Sequence, residues 1–167
     1  MHTDRLRIDT FSYDDISFIR ELTNSPGWLE HIGDRNINSD QDAIKYLETG
    51  PLSSYKVNGF GLMRVVLSSS NQPIGMCGFL NRDQLAYPDL GFAFLPKFQG
   101  KGYAFEASKA LINWASSNLK SNYVLAITSQ TNQRSIKLLY KLGFEEIHPV
   151  TMNKQPLKQF QFQLDQP

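Results

Sequence analysis

The chain has 167 residues, with 17 Lys plus Arg against 16 Asp plus Glu, so its formal net charge is +1. This length predicts one domain spanning residues 1–167, and a hydrophobic share of 41% argues against disorder. No basic patch typical of nucleic-acid binding occurs, and the apolar runs are far shorter than the ~20 residues that span a bilayer. Because the first residues, Met1–Arg5, also lack the apolar stretch of a signal peptide, we expect a cytoplasmic protein with neither nucleic acid nor membrane as partner.

The first part of the chain predicts a strand followed by two helices. Leu6 and Ile8 alternate with polar residues, as in a half-buried strand. Each helix begins with a capping box, in which two side chains bond reciprocally to the first free N–H groups. The two boxes are Ser12 with Asp15 and Ser39 with Asp42. They predict helices that end near Asn24 and at Gly50, each before a proline that breaks the pattern.

The second part predicts six further strands and two longer helices. The strands are Phe60–Leu67, Pro73–Leu80, Asp89–Leu95, Tyr123–Thr128, Phe144–Val150 and Lys158–Leu164, and the helices are Tyr103–Leu119 and Asn132–Leu142. A strand-helix-strand step from 89 to 128 requires a parallel crossover within an otherwise antiparallel sheet. The order therefore predicts a mixed α/β (α+β) fold with about seven strands and four helices.

The join between strand and helix at residues 99–104 is the most informative segment. Gly100 and Gly102 leave the backbone accessible just before a helix whose first N–H groups are unsatisfied, which favours an anion such as phosphate. The alternative is that these glycines only turn the chain. A dinucleotide-binding fingerprint would need a glycine at Phe105, and a Walker A loop would need Ser or Thr directly after Lys101, so both are excluded.

Few side chains are candidates for metal or thiol chemistry. Cys77 stands alone in an apolar run, which predicts a buried structural thiol. His31 and His148 lack a second ligand at metal-binding spacing, so no metal is expected.

The segment Gln99–Ala104 resembles the acetyl-CoA loop of the GNAT superfamily of N-acetyltransferases, Q/R-x-x-G-x-G/A. The resemblance extends from the preceding strand at Asp89 through a second segment, Asn132-x-x-Ser135 followed by Lys141-Leu142-Gly143-Phe144. It covers residues 60–147 closely and is strongest to the branch of the ribosomal-protein N-terminal acetyltransferases. It implies the GNAT fold, in which two parallel strands splay apart to admit the coenzyme.

The resemblance also implies which residues bind acetyl-CoA as co-substrate. Backbone N–H groups of the loop are expected to hold the pyrophosphate, while the pantetheine arm pairs with main chain near Phe94 and Leu95 and contacts Asn132. Lys141 is the candidate for the 3′-phosphate, although a solvated surface lysine is the better interpretation, and Asn132 also fits as a helix N-cap. The implied coenzyme contacts are Phe94, Leu95, Gln99, Gly100, Lys101, Gly102, Tyr103, Ala104, Asn132 and Lys141.

Two residues are candidates for proton transfer. Asp89 lies where many relatives carry a carboxylate that takes a proton from the amine, although Asp also favours a turn after Pro88. Many relatives protonate the leaving thiolate with a tyrosine seven residues after the asparagine, where this chain has Leu139. Tyr140 is one residue later, about 100° around the helix, so Ser135 is the candidate acid instead.

The resemblance implies an N-acetyltransferase that moves acetyl to a primary amine, on a protein N-terminus or a small molecule, by direct attack in a ternary complex. The alternative is a catalytically weak acyl-CoA-binding regulatory module, which the leucine at position 139 suggests. An acceptor pocket is expected from residues 26–29 and 33–35, with Tyr55 and Arg82 as further rim residues. The alternative is structural: Trp28 as a core residue, and Asp34 with Arg35 as a local ion pair. The protein is expected to be a monomer or a homodimer.

Overall fold

The computed structural model describes residues 1–165, and seven strands in them form one sheet in the order β1-β2-β3-β4-β5-β7-β6. The strands are β1 (Leu6–Asp9), β2 (Leu62–Leu67), β3 (Pro73–Leu80), β4 (Asp89–Phe94), β5 (Tyr123–Ser129), β6 (Glu145–Met152) and β7 (Gln155–Gln163). Every neighbouring pair is antiparallel except β4 with β5, which is parallel. The predicted mixed sheet is therefore confirmed.

The same residues form six α-helices. They are α1 (Ile16–Thr23), α2 (Pro26–His31), α3 (Asp40–Thr49), α4 (Pro51–Asn58), α5 (Tyr103–Asn118) and α6 (Gln133–Leu142). Both predicted capping boxes are present, and the first opens a 3₁₀ turn that leads into α1. Helices α2 and α4 were not predicted; each begins with a proline at its first position. None of the helices in residues 1–165 is long and apolar enough to cross a bilayer.

The helices cover the two faces of the sheet. Leu90 and Phe94 of β4 belong to a core shared with Leu111 of α5, whereas Met76 and Leu95 belong to a second core with the first three helices. Because successive side chains of a strand point to opposite faces, Asp89 projects to the same side as Leu95, toward the N-terminal helices. The sheet thus separates α5 and α6 from the face on which Asp89 lies.

The parallel strands β4 and β5 are paired only at their first residues. Asp89 lies opposite Leu125, and the Leu125 N–H donates to the Pro88 carbonyl at 2.9 Å. Beyond this point no pair joins β4 to β5, although β5 pairs with β7 along its whole length. The two strands therefore separate toward their carboxyl ends and leave a gap in the sheet, as the predicted splay requires.

Candidate active site

The β3–β4 ladder determines which peptide groups of β4 face this gap. The Leu95 N–H donates to the Ile74 carbonyl on β3 at 2.9 Å, and Gly75 lies opposite Phe94. Since N–H and C=O directions alternate along an antiparallel strand, the peptide groups of Phe92 and Phe94 point away from β3 and into the gap. Of the two residues predicted to pair with the coenzyme, Phe94 therefore has its peptide group on the gap, whereas Leu95 has its N–H bonded to β3. Phe92, which was not predicted, also has its peptide group on the gap.

The glycine loop lies where β4 leads into α5. Gly100 and Gly102 have φ values of +73° and +83°, which are accessible to glycine and strained for other residues. Gly102 is the N-cap of α5 and provides no side-chain cap, so within residues 1–165 the N–H groups of Tyr103 and Ala104 in the first helical turn have no capping partner. Uncapped N–H groups at the positive end of a long helix are suited to an anion such as a diphosphate, and the expected binding at this loop stays a prediction.

The side chain of Gln99 crosses the mouth of the gap. Its amide nitrogen donates to the Phe94 carbonyl at 2.8 Å, and its amide oxygen accepts from Arg134 of α6 at 2.9 Å. The Arg134 side chain makes no other hydrogen bond or ion pair within residues 1–165, so its charge next to the loop is not neutralised by a carboxylate. A phosphate entering the loop would meet this guanidinium, which sequence analysis missed because its partner lies 35 residues earlier in the chain.

The second predicted segment forms the start of α6. The Asn132 side chain accepts from the Ser135 N–H at 3.1 Å, so the expected N-cap is present. The Ser135 hydroxyl makes no hydrogen bond within residues 1–165. Ser135 lies one turn before the buried Leu139 and so on the same inward stripe of the helix. Ser135 therefore lies on the packed side of α6, and its role as an acid stays a prediction.

No tyrosine of α6 takes the place of that serine. Leu139 is fully packed in the core, and Tyr140 is exposed, with its hydroxyl donating to Glu146 of β6 at 2.7 Å. Tyr140 therefore lies on a different side of α6 from Ser135 and Leu139, as its offset of one residue predicts. Lys141 is also exposed, and its ammonium lies 4.6 Å from the centre of the Phe105 ring, which positions it beside the first turn of α5.

Asp89 forms a buried ion pair at the closed end of the gap. Its side chain is 2% exposed, and both carboxylate oxygens accept from Arg82 Nε, at 2.9 and 3.1 Å. Burial raises the pKa of Asp89 to about 6, because loss of water outweighs the attraction of the guanidinium. A carboxylate with this pKa is ionised at neutral pH and yet basic enough to accept a proton.

A cleft of about 400 Å³ lies between the segment after α2 and the β6–β7 turn, and the predicted rim residues 33–35 line it. Its charges are of both signs: Glu30 lies 3.8 Å from His31, while Arg35 forms no ion pair within residues 1–165. Trp28, predicted as a rim residue or a core residue, is only 5% exposed and belongs to the core. A Cβ on Gly27 of α2 would lie 3.3 Å from the Gln99 amide nitrogen, so α2 connects this cleft to the glycine loop.

The single cysteine is buried in β3, as predicted. Cys77 is 0% exposed, and its sulfur lies 3.5 Å from the Ser108 hydroxyl. Burial raises the pKa of the Cys77 thiol to about 12, so almost no thiolate forms at neutral pH. These properties do not suit a covalent acetyl carrier.

We therefore expect Cys77→Ala to retain the turnover of the parent and to lose only a little stability, because one small buried side chain is shortened. Steady-state kinetics together with thermal unfolding would check this. A folded variant without turnover would contradict it.

Comparison with known proteins gives a consistent family assignment. The family model described as "Acetyltransferase (GNAT) domain" matches residues 5–145. The chain is 31% identical over 153 residues to the uncharacterized N-acetyltransferase YjdG of Bacillus subtilis, covering 86% of this chain and 88% of the relative.

Two solved structures share the fold at low sequence identity. One is a ribosomal L7/L12 alpha-N-protein acetyltransferase in complex with coenzyme A, with a TM-score of 0.80, 14% identity and coverage of 98% of this chain and 96% of the other. The other is spermidine N-acetyltransferase from Vibrio cholerae in complex with coenzyme A and spermine, with a TM-score of 0.80, 15% identity and 97% coverage of both chains. These two likenesses concern the fold alone. The family model and the curated relative show that this chain belongs to the GNAT acetyltransferases and is an acyltransferase that uses acetyl-CoA.

Proposed function

We propose that this enzyme transfers acetyl from acetyl-CoA to a primary amine, on a protein N-terminus or a small molecule, by direct attack in a ternary complex. The observation that carries the proposal is the open gap between β4 and β5, which ends at the glycine loop on one side and at Asp89 on the other. The proposal covers a single domain of residues 1–167 in the cytoplasm, acting as a monomer or a homodimer.

In the proposed complex the coenzyme occupies both the loop and the gap. The pyrophosphate is held by N–H groups of residues 100–104 and faces Arg134, while Lys141 is the candidate contact for the 3′-phosphate. The pantetheine arm pairs with the peptide groups of Phe92 and Phe94, displacing the Gln99 amide from the Phe94 carbonyl, and passes Asn132. One of these peptide N–H groups then lies near the thioester oxygen, where negative charge develops during attack.

The chemistry requires one bond to form and one to break. The amine nitrogen attacks the thioester carbonyl carbon, the carbon–sulfur bond breaks, and coenzyme A leaves as the thiolate. Asp89 accepts the amine proton through intervening water, while the Ser135 hydroxyl donates a proton to the thiolate and takes one back from solvent. Since a thiol has a pKa near 8.5, it is a tolerable leaving group, and the acid contributes less than the binding of the developing oxyanion.

An α-amine suits this site better than a lysine side chain. An α-amino group has a pKa of about 7.7–8.0 and loses its proton readily at neutral pH, whereas a lysine near 10.4 must be shifted by about three units. The proposed acceptor cleft carries charges of both signs and the half-exposed Leu29 and Ile32, so it is not a uniformly acidic site for a polycation.

The test is acetylation of a panel containing peptides with free N-termini, lysine analogues, spermidine and small amines. We expect turnover of at least one α-amine, with kinetics showing that both substrates must bind before product leaves. Binding of coenzyme A without turnover of any amine would favour a regulatory module, and double-displacement kinetics would exclude direct attack.

A further inference from the structure

Arg5, just before β1, connects the N-terminal segment to the glycine loop. Its guanidinium donates to the Lys101 carbonyl at 3.0 Å and to the Glu106 carboxylate at 2.7 Å, and its backbone N–H donates to the same carboxylate at 2.9 Å. The guanidinium carbon also lies 4.5 Å from the centre of the Tyr103 ring. One side chain thus contacts the middle of the loop and the first turn of α5.

The position of the Glu106 carboxylate explains why it is paired with a cation. It lies in the first turn of α5, which the diphosphate of the coenzyme must approach. Although partial burial opposes ionisation, hydrogen bonds from Thr3 and Arg5 hold the pKa of Glu106 below its usual range, so the group is charged. An unpaired carboxylate here would repel the diphosphate and weaken the positive end of the helix.

The bond to Lys101 acts on the shape of the loop. The Lys101 carbonyl accepts a hydrogen bond from the Arg5 guanidinium, which holds this oxygen on the Arg5 side of the loop. A Cβ on Gly102 would lie 3.3 Å from the terminal nitrogen of the same guanidinium, so Arg5 packs directly beneath the loop. The loop can then present N–H groups rather than carbonyl oxygens to an anion.

From these contacts we infer that Arg5 is a positioning residue for the coenzyme: it holds the loop in its diphosphate-binding shape and neutralises Glu106. The inference rests on the proposed role of the loop. Arg5 acts through Lys101 and Glu106 and contributes nothing to the acceptor cleft.

The test compares Arg5→Gln with Arg7→Gln. Arg7 is two residues further along the same segment, and its guanidinium bonds to Asp9 and Asn71, each at 2.6 Å, instead of the loop. Both changes remove one charge and a similar set of bonds. We expect Arg5→Gln to weaken coenzyme A binding about tenfold or more by calorimetry, to raise KM for acetyl-CoA and to leave kcat unchanged, whereas Arg7→Gln changes none of these.

An acetyl donor that lacks the diphosphate distinguishes a role of Arg5 in positioning the loop from a general loss of structure in the variant. With acetyl-pantetheine, Arg5→Gln should retain the kcat/KM of the parent, because the loop has nothing to bind. Arg5→Lys should recover part of the affinity, since an ammonium keeps the charge but cannot bond to Glu106 as a fork. Combining Arg5→Gln with Glu106→Gln should cost less than the sum of the two, because both changes affect one unit.

Equal coenzyme affinity in Arg5→Gln and Arg7→Gln would overturn the inference, as would an equal loss of rate with acetyl-pantetheine. Failure of the parent protein to prefer acetyl-CoA over acetyl-pantetheine would instead remove the proposed role of the loop.

Discussion

Asp89→Asn is expected to lower the rate of acetyl transfer roughly 10²–10⁴-fold, the usual contribution of a positioned general base. Asparagine keeps the shape of the side chain and one oxygen for Arg82, but it cannot take up a proton. The structural reason to expect a base here is a carboxylate at the closed end of the gap whose pKa burial raises to about 6.

The pH profile provides the sharper measurement. With an α-amine acceptor, kcat/KM of the parent should rise with pH and show a break near 6, which belongs to Asp89, below the break near 8 that belongs to the amine. Asp89→Asn should lose the lower break. Arg82→Gln should move it to higher pH, because the guanidinium lowers the pKa of Asp89.

Unfolding cannot produce the same profile. Because the folded-state pKa of Asp89 is raised from 3.8 to about 6, this group's contribution to stability is fully present below 3.8 and is lost as pH rises through about 6. Stability therefore falls over the interval in which activity rises. If the break near 6 persists in a folded Asp89→Asn variant, Asp89 is not the base and the ion pair with Arg82 is structural.

The second large effect is expected at Gly100. Replacement by alanine places a Cβ in open space on the loop, at a φ of +73°. The strain of such a conformation costs about 1–2 kcal/mol, which a domain of this size tolerates. The new methyl group and the shifted backbone lie where the diphosphate is proposed to bind, so we expect the affinity for coenzyme A to fall by at least tenfold, measured by calorimetry.

Gly59→Ala is the matched control. Gly59 follows α4, has a φ of +76°, and likewise has nothing within 4 Å of an added Cβ. The two variants should lose similar stability in thermal unfolding, but only Gly100→Ala should lose the coenzyme. Equal affinities in the two variants would mean that the loop does not hold the diphosphate.

Much of the fold follows from local sequence patterns. The capping boxes at Ser12 and Ser39 and the alternation of the strands predicted most elements within a few residues. Helices α2 and α4 are not predicted when Pro26 and Pro51 are taken only as residues that end a helix. A proline also suits the first position of a helix, where its missing N–H would have no partner, so each proline both ends one helix and begins the next.

The site was only partly predictable, for a related reason. The glycine loop and the asparagine-serine segment are contiguous in sequence, so they could be recognised directly. The partners that hold them are not contiguous: Arg5 contacts Glu106 about a hundred residues later, Gln99 contacts Arg134, and Arg82 meets Asp89 only because the β3–β4 hairpin brings them together. The periodicity of apolar residues along the sequence does not predict contacts of this kind.

Because β4 and β5 are joined by a single residue pair, the enzyme without its coenzyme has unpaired strand edges. An unpaired strand edge ordinarily invites association with other chains, and here two such edges face each other inside one sheet. In the proposed complex, the coenzyme arm completes those edges much as an added strand would. Mass action then favours the loaded enzyme over the unfolded chain, so we expect the empty enzyme to be the form more prone to self-association.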